Sequence, residues 1–167
     1  MNKHYVVDRV LHWISAICIL LMMLNMKSQI HIINYEVKGQ NAHRQEAIES
    51  HVLAGLFLLV ILLLRVYWYR KYKALIPRHH APGRGHNMMI KMTHVLMYTL
   101  VAALAVTGAI LVKNNHIPLF IFGMSVSDVL PVRDQFFDGV RELHLWCITA
   151  LGWLIGMHVI GVMAARR

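Results

Sequence analysis

Four long apolar runs, separated by polar connections, organise the chain. The first runs from Val10 to Met26 and extends back to Tyr5. The second runs from Val52 to Tyr69, interrupted only by Arg65. The third covers Met88 to Val112, with Lys91 near its start, and the fourth covers Leu143 to Ala165. Each is close to the roughly 17–25 residues that a helix needs to cross a bilayer. Lipid offers no hydrogen-bond partner to the backbone, so a spanning segment is either a helix or part of a closed barrel. None of the runs alternates with period two, so all four are read as helices. The pattern predicts an all-α integral membrane four-helix bundle. It forms a single domain over residues 1–167, with spans at approximately 6–26, 51–69, 88–112 and 143–165.

The first run follows Lys3 and Arg9, as the apolar part of a signal peptide would. Met22, Met23 and Met26 occupy the place where small residues of a cleavage site are expected, so it is read as a retained span. Between the second and third runs, Pro77, Pro82, Gly83 and Gly85 stop one helix and delay the next. The last connection holds Pro118–Gly123, too short to span and too apolar for free solvent. An interfacial or capping position is expected for it.

Composition agrees with a membrane protein. Hydrophobic residues make up 57% and charged residues 15%, against about 45–50% and 25% in soluble domains. This argues against a soluble or disordered chain. The net charge of +9 could by itself suggest nucleic acid, but its placement points to membrane orientation, and no nucleic-acid partner is expected. Lys3, Arg9, Arg70, Lys71, Lys73, Arg78, Arg84, Lys91, Arg166 and Arg167 fall on one side, with Asp8 as their only acid. The other side has Lys27, Lys38, Arg44, Lys113, Arg133 and Arg141 among seven acids. The positive-inside rule then places both termini in the cytoplasm. The basic loop serves as a topology signal and an anchor to membrane lipid.

Two cysteines, Cys18 and Cys147, lie in different spans and are read as small core residues. Twelve histidines are a large excess. An ionisable residue within a span is costly, so each is a functional candidate. His12 and His158 fall toward the cytoplasmic side; His51 and His144 fall toward the outer side. His144 and His158 are fourteen residues apart, which on a helix returns to within about 40° of the same direction. One helix thus offers an imidazole near each leaflet, and two others offer matching partners. Bis-histidine haem needs opposed imidazoles on neighbouring helices in an apolar pocket, and the pattern supplies two such sites. Gly55, Gly152, Gly156, Gly161, Ala102, Ala105 and Gly108 either make room for a macrocycle or allow close helix packing. Zinc is the rival, but no carboxylate or cysteine lies near enough in sequence to complete a four-ligand set. Arg65, fourteen residues from His51, either pairs with a haem propionate or snorkels at a helix end. His94 is open between a propionate contact, a quinone contact and an interfacial histidine.

These residues resemble the bacterial cytochrome b561 family of small inner-membrane proteins with four helices and two b-type haems. The resemblance rests on Arg9–Val10–Leu11–His12–Trp13, on Glu49–Ser50–His51 with Gly55 and Arg65, and on His94, Tyr98 and Thr107–Gly108. It continues through Phe122–Gly123, Glu142–Leu143–His144 and His158. It implies that His12 and His158 hold the inner haem iron and His51 and His144 the outer one. It also implies a route for electrons between a periplasmic donor, superoxide in a characterised member, and ubiquinone. The basic residue linked to quinone in that member corresponds to Arg78, which follows Ile76–Pro77. The expected function is therefore a superoxide:quinone or quinol-linked oxidoreductase. One alternative is a haem-bearing anchor subunit that links a periplasmic dehydrogenase or hydrogenase to quinone. Another, of a different class, is a histidine-lined metal or proton transporter.

Overall fold

The computed structural model describes residues 2–32, 40–76, 84–115, 117–128 and 135–164. Four helices account for most of them: α1 (Lys3–Ile32), α2 (Gln40–Tyr72), α3 (Arg84–Lys113) and α4 (Gln135–Ala164). A two-stranded antiparallel hairpin, β1 (Phe120–Ile121) and β2 (Met124–Ser125), lies between α3 and α4 in sequence. The segments Lys3–Asn25, Ala42–Tyr72, Met88–Lys113 and Gln135–Ala164 are each long and apolar enough to cross a membrane.

Every helix is longer than its apolar run. α2 begins eleven residues before His51, and α4 begins nine before His144. Apolarity marks only the part that lipid demands; a helix continues into polar residues while its backbone bonds continue. Gly85 accordingly lies inside the first turn of α3 rather than delaying it. α1 starts at a side-chain cap, where Asn2 Oδ1 accepts the His4 N–H at 3.0 Å.

The helix surfaces suit lipid. Trp13, Leu20, Leu63, Trp146, Trp153 and Ile160 are each more than half exposed. The hydroxyls of Ser15, Thr93, Thr99, Thr107 and Thr149 each donate to the carbonyl four residues earlier. Without water, that local bond keeps a polar group tolerable in an apolar span.

The chain forms two compact units. In the first, α1 and α2 run antiparallel. Asn2 Nδ2 donates to the Leu75 carbonyl at 2.6 Å, and Trp68 Nε1 donates to the His4 carbonyl at 3.2 Å. His4 also stacks on Tyr72 with ring centroids 4.2 Å apart. Toward the other end, Cys18 Sγ lies 3.6 Å from the Ala54 carbonyl oxygen, and a methyl added at Gly55 would meet Met22 Cε at 3.5 Å. That is ordinary contact, so α1–α2 packing does not itself require glycine at 55.

The hairpin belongs to this first unit and packs on α2. Phe122 and Gly123 form its two-residue turn, both with positive φ, 51° and 79°. This is the hairpin turn whose twist matches paired strands, and the phenylalanine is strained in it. Leu119 is buried to 1% exposure. Ser127 Oγ accepts the Leu119 N–H at 2.9 Å and donates to the Ile117 carbonyl at 3.3 Å. The apolar Pro118–Gly123 stretch thus supplies the first strand and the turn of a β-hairpin. Its period-two signal is too short to stand out in sequence.

In the second unit α3 and α4 are antiparallel. Thr107 meets His144 near one end of the pair and His94 meets His158 near the other.

Candidate haem-ligating histidines

α1 and α2 each carry one of the predicted imidazoles, at different levels. Asp8 lies opposite Arg65, and His12 follows Asp8 by one turn. His51 precedes Gly55 by one turn, and Gly55 lies opposite Met22. By helical rise, His12 and His51 are about 15–20 Å apart along the pair. His12 is half-buried, with its ring 5.7 Å from that of Trp13. His51 is half-buried too, and its buried Nδ1 has no hydrogen-bond partner among the described residues.

α4 carries the other two, about 21 Å apart by rise. His144 Nδ1 lies 2.8 Å from Thr107 Oγ1, and a methyl at Gly108 would lie 3.6 Å from His144 Cε1. The His158 ring meets the His94 ring edge-on, with centroids 4.9 Å apart. His94 Nδ1 lies 2.7 Å from the Ile90 carbonyl oxygen. A carbonyl only accepts, so this nitrogen carries the proton. No atom lies within 4 Å of a methyl built at Gly156 or Gly161 among the described residues.

Arg65 does not stand alone. Its Nε is 3.9 Å from Asp8 Oδ1, while Arg9 Nη2 donates to Asp8 Oδ2 at 2.6 Å. The side chains of Arg65 and Asp8 are 15% and 7% exposed. A contact through Nε engages one of five guanidinium donors. Snorkelling alone does not describe a group tied to a buried carboxylate. Asp8 was legible as a signal: an acid in an apolar span one turn from a histidine. Arg78 lies outside the described residues.

The donor set fits haem. A porphyrin supplies four nitrogens, so each iron needs only two protein imidazoles, and the histidines are spread singly along the helices. Among the described residues, no group of three or more His, Cys, Asp or Glu side chains is placed to hold a metal ion. Thr107 gives His144 the kind of hydrogen-bonded support that ligating histidines use. Spacing did not reveal that role, although a hydroxyl deep in an apolar helix was its signal.

These features describe a helical membrane protein built around spaced imidazoles. The family model for prokaryotic cytochrome b561 matches residues 3–167, and the chain belongs to that family. It is similar to cytochrome b561 homolog 2 of Escherichia coli (strain K12), 24% identical over 171 residues, 99% of this chain and 85% of that protein. Membership makes it a multi-pass inner-membrane protein of haem b electron transfer.

Proposed function

We propose that the chain is a di-haem cytochrome that carries electrons between a periplasmic donor and ubiquinone, with both termini cytoplasmic. His12 and His158 would hold an inner haem, and His51 and His144 an outer one, and each iron would supply one-electron chemistry there. One observation carries this reading: α1–α2 carries His12 and His51, and α3–α4 carries His144 and His158, in each case at two levels about 15–21 Å apart. Family membership supplies the haem b chemistry. Superoxide as the donor follows from the resemblance.

Bound haem iron supplies reversible one-electron chemistry; the protein sets position, dielectric and charge. The exposed apolar helix faces keep the spans in lipid. Thr107 Oγ1 lies against His144 Nδ1, and His94 packs against His158. Arg9, Arg65 and Asp8 leave one net positive charge a turn from His12, suited to the carboxylates of a propionate. The basic segment with Arg78, and His94 beyond it, offers cationic and protonatable groups for a quinone that gains negative charge and then protons.

The test is anaerobic reduction of the purified, haem-loaded protein by superoxide or by ubiquinol, followed in the haem absorbance bands. Fast reduction by superoxide with reoxidation by ubiquinone is expected. Reduction by ubiquinol alone, with no response to superoxide, would remove superoxide as the donor. The absence of a haem Soret band from the purified membrane protein would favour a histidine-lined transporter.

A further inference from the structure

Thr107 lies in the apolar last third of α3, 6% exposed. Its hydroxyl touches three groups: the Ala103 carbonyl at 2.8 Å, the Leu104 carbonyl at 3.3 Å and His144 Nδ1 at 2.8 Å. A hydroxyl has one proton, and both carbonyls can only accept. The proton is therefore committed to the α3 backbone, as is usual for a threonine inside a helix. The contact with His144 then runs the other way: Nδ1–H donates and the threonine oxygen accepts. In a neutral imidazole that puts the lone pair on Nε2.

We propose that Thr107 is the positioning residue of His144. It fixes the tautomer that offers Nε2 to iron, holds the ring against α3, and makes the imidazole a stronger electron donor. The inference deepens the assignment of His144 as an outer haem ligand and rests on it. A hydrogen-bonded Nδ1–H gives the ring partial imidazolate character, which favours the oxidised iron. His51, assigned to the same haem, provides the contrast, because its buried Nδ1 has no partner among the described residues. A threonine that served helix packing alone would move no redox potential.

The experiment is a redox titration of the haem-loaded protein carrying Thr107→Val, which keeps the shape and removes the acceptor, beside Thr107→Ser, which keeps the acceptor. In Thr107→Val the outer haem should become about tenfold easier to reduce, an upward shift of about 59 mV for a one-electron couple. The inner haem should stay put, and Thr107→Ser should stay near wild type. Unchanged potentials in Thr107→Val with both haems retained, or equal shifts at both haems, would overturn the proposal. If Thr107→Val does not load, the wild type decides. In its reduced, diamagnetic form, the His144 Nδ1–H should show the downfield proton shift of a hydrogen-bonded N–H, and the shift of a free N–H would overturn the proposal. His144→Ala separates the two levels of inference. Retention of both haems there would remove the ligand assignment itself. Loss of one haem, with a silent Thr107→Val, would remove only the role of Thr107.

Discussion

Arg65 on α2 reaches across to Asp8 on α1, Nε to Oδ1 3.9 Å, while the other oxygen of the same carboxylate takes a 2.6 Å bond from Arg9. Two guanidiniums thus share one buried acid, a turn from His12. Removing one partner of a buried pair leaves an uncompensated charge, which costs about 3 kcal/mol. Asp8→Asn should therefore lower thermal stability in detergent by an amount of that order. Asp8→Asn with Arg65→Gln should recover part of the loss. Additive effects in that double-mutant cycle would show that the two residues do not interact.

The same cluster sets a charge beside the proposed inner haem. Arg65→Gln should lower the potential of that haem, because losing a nearby cation favours the oxidised state. Asp8→Asn should raise it. The outer potential should barely move in either variant. Redox titration checks the opposite signs, and shifts of one sign in both variants would break the electrostatic account.

The ligand pairs make a spectroscopic prediction. The chain has no Cys-x-x-Cys-His attachment motif, so pyridine haemochrome should report two non-covalent b haems per chain. His51→Ala and His144→Ala should lose the same haem, and His12→Ala and His158→Ala the other. Matching spectra for His12→Ala and His144→Ala would contradict the assignment by depth.

Arg78→Ala should slow quinone turnover while both haems stay bound. His94→Ala should slow it too, and should also disturb the inner haem spectrum, since His94 packs edge-on against His158. Turnover unchanged in both variants would move the quinone site to the outer end.

The hairpin is tied down near His51. Glu49 Oε1 accepts the Phe120 N–H at 2.8 Å and a Gln45 side-chain N–H at 2.9 Å, two residues before His51. Glu49→Ala should loosen the hairpin by about 1 kcal/mol. Gly123→Ala should do so by a similar amount, because φ at 123 is positive. Faster hydrogen exchange over residues 119–126 in both variants is the expected readout. Unaltered exchange would mean that Leu119 and Ser127 hold the hairpin without them.

The four helices were legible in sequence because lipid permits few solutions. A run of about twenty apolar residues must be helical to satisfy its own backbone. The fourteen-residue spacing of His144 and His158 needs only the helical repeat to give two levels on one face. The polar extensions of α2 and α4 escaped that logic, because hydropathy records where lipid is and not where a helix ends. The hairpin escaped because strands of two residues have no period to detect.

The tertiary structure decided who meets whom. Asp8 and Arg65 are 57 positions apart, and Thr107 and His144 are 37 apart. No local rule joins such residues. The register of one helix against its antiparallel neighbour brings them together, and side-chain packing along the whole interface sets that register. The sequence by itself determined that there would be four spans and where along each an imidazole would lie. Only the packed helix pairs decided that a threonine hydroxyl would meet Nδ1 of His144, and that a carboxylate would hold Arg65 a turn from His12.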